Sequence, residues 1–384
     1  MYEGEYGWAY QVSMRILARL GDLFNADRLI PIQSSHLSGI SYKTLGDAPI
    51  DFLQALVDAD GKVAVQTTTN PSGVDSQYFA SKLPIERVGK QTQILSLYEK
   101  MGVNNILTCT PYYITEPKEG SHLAWAESSA VIYANSILQA WTNREGGPSA
   151  LAAALIGKTP NYGVHRLENR EPSVKVKLER RLETEAEFGA LGIFLGKQIK
   201  DKAPVFEDLS YATKEDLKQL GAAMASSGMT NLFYAKPPSW LKQKSGMETI
   251  FVEARDIEAT MENMNTTDRK SSNLIFIGCP HCSVNELAKV AKALKHKKVA
   301  REKELWICTS RHLKENSKSL VKAIENAGAK VICNTCAVVT WLKDLSIDSL
   351  MTNSAKTAYY APTLNNIGAV LAPLNHCIEA ATSL

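Results

Sequence analysis

Seven cysteines are the residues best equipped for chemistry: Cys109, Cys279, Cys282, Cys308, Cys333, Cys336 and Cys377. Four of them form two C-x-x-C pairs, in "GCPHCS" and "CNTC". Thiols so spaced can pair with each other, hold a metal, or sit as small buried hydrophobes. The count is odd, and the start "MYEGEYGWAYQ" is acidic and aromatic, unlike a secretion signal. Both features argue against a secreted disulfide framework. A cytoplasmic chain with reduced thiols is expected, and metal binding or catalysis stands beside plain packing.

Cys109, Cys279 and Cys336 each end an apolar run that reads as a strand: "NNILTCT", "NLIFIGC" and "KVICNTC". Open parallel sheets bind ligands beyond the carboxyl ends of their strands, so three such thiols can converge. Zinc ribbons separate their cysteine pairs by ~15–20 residues. Here fifty residues lie between Cys282 and Cys333, which weakens a zinc-binding, non-enzymatic α/β protein without removing it. Three thiolates fall short of the four that a closed four-iron cluster takes. On three, one iron stays open to bind a substrate hydroxyl as a Lewis acid.

Such an elimination also needs groups that hold a carboxylate or phosphate, and the polar stretches offer them. "SSHLSGISYKTLGD" (34–47) reads as a Ser/Gly turn around His36, and "TTTNPSGVD" (67–75) as a turn after a strand. "HLAWAESSAVIYANS" (122–136) reads as a helix with Glu127 in an apolar setting. "TNREGGPSALAAAL" (142–155) puts Arg144 and two glycines before a helix opened by Pro148 and Ser149. Free amides at a helix start plus an Arg suit a phosphate or carboxylate. "TNSAKTAYYAP" (352–362) places Lys356 just after a strand.

These residues must be positioned by a sizeable framework. The chain has 384 residues, enough for two or three packed lobes, with a boundary expected between 1–205 and 206–384. It is 45% apolar and 22% charged, the profile of an ordinary globular protein. A net charge of +3 gives no argument for nucleic acid or membrane, and the Lys-rich stretch 289–322 reads as the wet face of helices. No apolar run reaches the ~18 residues of a membrane span. Further strand-like runs are "KVAVQTT", "TNLFYA", "ETIFVEA" and "ELWICTS". Helices are expected from a capping box at Thr213 and Asp216 to about Ser227, and over 284–294 and 313–327. "SWLKQKSGMET" and "NMNTTDRKSSN" read as polar surface loops. Strand and helix alternate, which predicts an α/β fold with parallel sheets.

"SGISYKTLGD", "TTTNPSGVD", "CTPYY", "AWAESSAVIYANS", "TNREGGPSALAAAL", "GCPH", "TCAVV" and "TNSAK" occur in this order over nearly the whole chain. Together they resemble the large subunit of the aconitase X family, most of all its archaeal branch. The resemblance implies several aconitase-like parallel-sheet α/β domains without the swivelling domain. That domain would be a separate small subunit carrying the general base. The family's [4Fe–4S] ligands fall on Cys109, Cys279 and Cys336. Its substrate contacts fall on Gly39, Ile40, Ser41, Asn70, Pro71, Glu127, Ser128 and Lys356. The implied activity is a hydro-lyase of the archaeal-type mevalonate route to isoprenoids. It would take (R)-mevalonate 5-phosphate to trans-anhydromevalonate 5-phosphate, with dehydration of cis-3-hydroxy-L-proline as the alternative. Cys282 and Cys333 stand where the family pattern has other residues, and the start is shorter than that pattern. Cys308 and Cys377 match no motif and read as structural.

Overall fold

The computed structural model describes residues 1–236, 246–268 and 272–383. The first of the two expected polar loops lies mostly outside the described residues, and the second partly so. In chain order the strands are β1 (Leu29–Pro31), β2 (Ser34–Leu37), β3 (Gln66–Thr69), β4 (Ala124–Trp125) and β5 (Lys158–Pro160). Then come β6 (Val174–Leu178), β7 (Pro204–Phe206), β8 (Glu248–Val252), β9 (Leu274–Ile277), β10 (Glu304–Cys308), β11 (Lys330–Ile332), β12 (Ser349–Thr352) and β13 (Gly368–Leu371). They form sheets ordered β3-β2-β4, β7-β6-β8 and β11-β10-β9-β12-β13, all parallel, and an antiparallel pair β1-β5. The expected α/β class holds. No helix among the described residues is long and apolar enough to cross a membrane.

The five-stranded sheet is built on "LIFI" of β9, buried at every position. A run covered on both faces needs no polar alternation, which is how a central parallel strand reads. Side chains still alternate between faces. Leu274 and Phe276 join one core with Trp306, Cys279 and Cys336. Ile275 and Ile277 join another with Cys282, Leu287 and Val290. From β9 the chain steps outward to β10 and β11, then returns to lay β12 on the other side of β9. That reversal makes the carboxyl ends of β9 and β12 a topological switch point, where such sheets bind ligands.

At β9 the turn that follows requires glycine. Gly278 has φ +115°, and a Cβ there would stand 2.3 Å from the Cys308 carbonyl oxygen. The β6 sheet shows the other strand pattern, "VKVKL", with Val174 and Val176 buried between partly exposed lysines. Helix Lys214–Ser227 starts as expected: Thr213 Oγ1 accepts from the Asp216 N–H at 3.2 Å. The position 205/206, expected between lobes, falls inside β7, and the step to the next sheet comes between β8 and β9.

Several sequence expectations are corrected. "NNILTCT" is not a strand: Asn104 alone bridges Thr68. Leu107 turns the chain out of extension with φ 50°. Cys109 therefore comes from a loop laid along β3. "TNLFYA" contributes one bridge, Tyr234 to Val205. The run 313–327 divides into helices Arg311–Asn316 and Lys318–Asn326, parted at Ser317 with φ −121° and ψ 38°. In 122–136 the helix begins only at Ser128, after β4.

"SSHL", expected as a turn, is the middle strand of its sheet. Ser35 and His36 are polar yet buried because each finds a partner. Ser35 Oγ lies 2.9 Å from the carbonyls of Ala124 and Ala150. His36 Nδ1 lies 2.8 Å from Thr68 Oγ1, and its Nε2 donates to Asn70 Oδ1 at 3.2 Å. Burial pushes the His36 imidazole from 6.5 down to about 4, against the Asn70 bond and the Glu127 charge. The unfolded chain then takes the proton first, so stability falls as pH drops from about 6.5 towards 4. Between pH 7 and pH 5 this one group should remove about 2 kcal/mol. Urea unfolding at both pH values should show a pH dependence flattened by that amount in His36→Gln.

Candidate active site

Three buried thiols lie near one another beyond β9. Cys109, Cys279 and Cys336 are all buried, and Cys279 shares its apolar core with Cys336, Phe276, Trp306 and Ala337. The Cys109 thiol lies within electrostatic reach of Glu127, Cys279, Cys336 and Lys356. Burial, then the Glu127 charge and the two other thiols, pushes Cys109 well above the usual thiol range. Burial and then Cys279 push Cys336 up to about 12. The three thiols thus lie within electrostatic reach of one another, and a cationic group bound by them would displace their protons.

The remaining cysteines point elsewhere. Cys282 lies in the core on the other face of the sheet from Cys279. Cys333 lines an outer groove with Arg311 and Lys314, and its N–H donates to Asp75 Oδ2 at 3.0 Å. Neither C-x-x-C pair therefore faces one common space, against both the zinc and the redox-pair readings. Among the described residues no three His, Cys, Asp or Glu side chains, these three thiols included, are grouped tightly enough to hold a single metal ion. Cys308 and Cys377 are buried, and each thiol meets a backbone carbonyl at 3.4 Å.

Beside the thiols sits a buried ion pair. Glu127 caps helix Ser128–Ser136, accepting from the Ser129 N–H at 3.3 Å and the Ser129 hydroxyl at 2.9 Å. Asn70, the first residue after β3, donates from Nδ2 to Glu127 Oε2 at 2.5 Å. Lys356 comes from helix Ala355–Tyr360, which follows β12, and its Nζ donates to Glu127 Oε1 at 2.5 Å. The hydroxyls of Ser128 and Ser129 lie 3.4 and 3.5 Å from the same ammonium. Burial alone would raise the Glu127 pKa. The Lys356 charge, with hydrogen bonds from Lys356, Asn70 and Ser129, overrides it and holds the carboxyl well below the usual range. Burial would likewise lower Lys356, and the Glu127 charge keeps it above the ordinary lysine value.

Further loops are tied to the one that carries Asn70. Gln91 ties two of them: Nε2 donates to the Ile40 carbonyl at 3.0 Å, while Oε1 accepts from the N–H groups of Tyr42 and Gly73 at 3.0 and 2.9 Å. Ser41 Oγ donates to the Val339 carbonyl at 2.9 Å. A Cβ on Gly73 would stand 2.7 Å from both Ser41 Oγ and the Trp341 ring, so only glycine fits. Pro71 joins Asn70 to Ser72, whose N–H donates to the Asn334 carbonyl at 2.7 Å. Among the described residues nothing accepts from the N–H groups of Gly39, Ile40 and Ser41. Lys43 follows them, donating to the Thr340 carbonyl at 2.7 Å and to Asn365. Burial pushes its amine down to about 8, with Cys336 opposing.

The structure thus brings together the three thiols, Asn70, Glu127, Ser128 and Lys356, with the loop of Gly39, Ile40 and Ser41 joined to Pro71 and its neighbours. It does not bring Arg144, whose Nη1 donates to the Ala225 carbonyl at 2.9 Å, at the end of helix Lys214–Ser227. The helix after Arg144 starts on its own side chain, Ser149 Oγ accepting from the Gly146 N–H at 3.0 Å. Sequence reasoning missed Lys43 and Gln91. Lys43 lay within a stretch singled out for chemistry, whereas nothing local distinguished Gln91.

Comparison with known proteins places the whole chain. The family models Aconitase X first, second and third domain match residues 1–168, 172–262 and 272–383. The chain is 42% identical to the phosphomevalonate dehydratase large subunit of Methanosarcina mazei, over 99% of this chain and 94% of that one. With the same subunit of Methanocaldococcus jannaschii the identity is 43%, over 94% and 93%. It is 29% identical to the cis-3-hydroxy-L-proline dehydratase of Pseudomonas aeruginosa, over 98% of this chain and 68% of that one. The crystal structure of Thermococcus kodakaraensis aconitase X in its holo-form superposes with a TM-score of 0.92 at 41% identity, covering 99% of this chain and 97% of that one. Three domain matches without a gap in order, joined to one set of buried thiols and one ion pair, leave a single assignment: this chain belongs to the aconitase X family.

Proposed function

We propose that this chain is the large subunit of an iron–sulfur hydro-lyase that removes water from 5-phosphomevalonate. A [4Fe–4S] cluster would be held by Cys109, Cys279 and Cys336. The observation that carries the reading is that His281 bonds link the segments of three buried thiols, Cys109, Cys279 and Cys336, beside the Glu127–Lys356 pair and Asn70 at the sheet's switch point. The donor set fits the cluster: soft thiol ligands, apolar walls, and a His281 N–H directed at Cys109 Sγ at 3.2 Å. Held by three thiolates, such a cluster supplies an open iron as Lewis acid for the departing hydroxyl.

This chain's own residues bind and orient. Glu127 stays ionised and Lys356 protonated, so neither relays a proton at neutral pH. Lys356 instead presents a fixed positive charge beside the thiols, where the substrate carboxylate would lie, with Ser128 next to it. Glu127 aims that charge and locks the Asn70 amide. The unpartnered amides of Gly39, Ile40 and Ser41, with Lys43 behind them, make a nest for the phosphate. Arg144, one of whose Nη atoms donates to the Ala225 carbonyl, stays a second candidate for the phosphate, since the helix start at Gly147 abuts Ser38. The proton beside the carboxylate would pass to a base on a separate, swivelling small subunit. The relatives named for hydroxyproline are 31% and 29% identical, against 42% and 43% for the phosphomevalonate dehydratase large subunits of Methanosarcina mazei and Methanocaldococcus jannaschii, which supports the phosphomevalonate reading.

Three experiments test this. Reconstituted anaerobically with the small subunit, the chain should turn over 5-phosphomevalonate and leave cis-3-hydroxy-L-proline untouched. Without that subunit its rate should fall by ~100-fold or more, the usual worth of a general base. The opposite substrate preference, or full turnover by the chain alone, would refute the assignment. Serine at Cys109, Cys279 or Cys336 should remove most iron and sulfide, whereas Cys282→Ser and Cys333→Ser should keep wild-type content. Lys356→Met alone should destabilise by about 3–5 kcal/mol, because it leaves a buried charge unpaired. Adding Glu127→Gln should restore most of that stability in urea titrations while activity stays lost.

A further inference from the structure

We infer that His281 is the positioning residue that holds the three thiol-bearing segments at one spacing. The inference rests on the cluster reading above. His281 is fully buried and lies two residues beyond Cys279. Its backbone N–H donates to Cys109 Sγ at 3.2 Å. Its ring reaches the residues immediately before the other two thiols. Nδ1 lies 2.9 Å from the hydroxyl oxygen of Thr108, and Nε2 lies 3.3 Å from the carbonyl oxygen of Thr335.

The partners assign the tautomer. A carbonyl only accepts, so Nε2 carries the hydrogen and donates to Thr335. Nδ1 then accepts from the Thr108 hydroxyl. That hydroxyl oxygen in turn accepts from the Thr110 N–H at 3.3 Å. From the far side Lys218, fully buried on helix Lys214–Ser227, donates to the His281 carbonyl at 3.1 Å and pairs with Glu286. All four polar atoms of His281 are engaged.

The need for such a hub follows from where the thiols sit. Cys279 is two residues past β9 and inherits that strand's fixed position. Cys109 and Cys336 lie on loops, where no ladder of strand hydrogen bonds sets their distance from Cys279. A rigid ring with a donor on one edge and an acceptor on the other ties both loops to the strand-borne segment. Outer groups that orient ligands in this way commonly change metal affinity 10- to 100-fold when removed.

The test uses the anaerobically reconstituted chain and three variants. His281→Leu removes both ring bonds and keeps the backbone N–H to Cys109. His281→Gln retains one donor and one acceptor. Thr108→Val removes the hydroxyl that bonds Nδ1, and with it the contacts to Thr110, at nearly constant shape. Iron and sulfide per chain, iron release to an excess of chelator, and the electron paramagnetic resonance spectrum of the reduced cluster are measured, with circular dichroism for folding. The expected result is native circular dichroism in all three. Iron release should be about 10- to 100-fold faster in His281→Leu, with an altered resonance spectrum. His281→Gln should fall between it and wild type. Wild-type release and spectrum in His281→Leu would overturn the inference. If that variant does not fold, Thr108→Val decides: faster release supports the hub and unchanged release refutes it. A wild-type chain that takes up no iron would overturn the cluster reading first, and this inference with it.

Discussion

Where helix Ser128–Ser136 begins, a carboxylate and an ammonium meet with little exposure to water: Glu127 and Lys356, 2.5 Å apart. Ions in such a place lose much hydration, and only close pairing with further hydrogen bonds offsets the loss. Here the offset comes from three directions: the Ser129 N–H and hydroxyl at the helix start, the Asn70 amide after β3, and the lysine after β12. The pair therefore works as a joint. It locks residues near the chain's first third to a helix near its end. It also fixes the charge state of both groups across the ordinary pH range.

The rest of the site is arranged around that joint by sheet topology. The chain reverses its direction of strand addition between β9 and β12, opening a crevice at their carboxyl ends. Cys279 enters from β9 and Lys356 from beyond β12. The β3-β2-β4 sheet supplies Asn70, with His36 kept neutral beneath it. Gln91, from helix Ile85–Lys100, joins the loop of Gly39, Ile40 and Ser41 to the loop after Asn70. Buried thiols, ion pair and free amides thus belong to different segments, and none could assemble the site alone. Separating the base onto another subunit would leave this chain a rigid template and give the partner the moving part.

Much of the frame was legible in the sequence. β9 announced itself as a short apolar run before glycine and proline, and the Thr213 capping box gave the helix that carries Lys218. The resemblance pointed to the residues that the structure gathers. What sequence reading missed has physical causes. β2 is polar because its serine and histidine find partners across the sheet, so no hydrophobic pattern marks it. The segment ending at Cys109 looks like a strand by composition, yet Leu107 takes a left-handed conformation that composition does not reveal. Glycines and a proline after Arg144 suggested an anion site, and the sequence could not show that one Nη of Arg144 donates to the Ala225 carbonyl, a contact 81 residues away. Gln91 carries no local signal at all. Its role comes from two loops that only the fold brings together.

The most direct test is a Mössbauer spectrum of the chain reconstituted anaerobically with iron-57 and its small subunit, recorded with and without 5-phosphomevalonate. The account predicts a four-iron cluster in which one iron of the four changes its isomer shift and quadrupole splitting when substrate is added, while the three thiolate-bound irons do not. A spectrum with no four-iron cluster, or one in which no iron responds to saturating substrate, would contradict it.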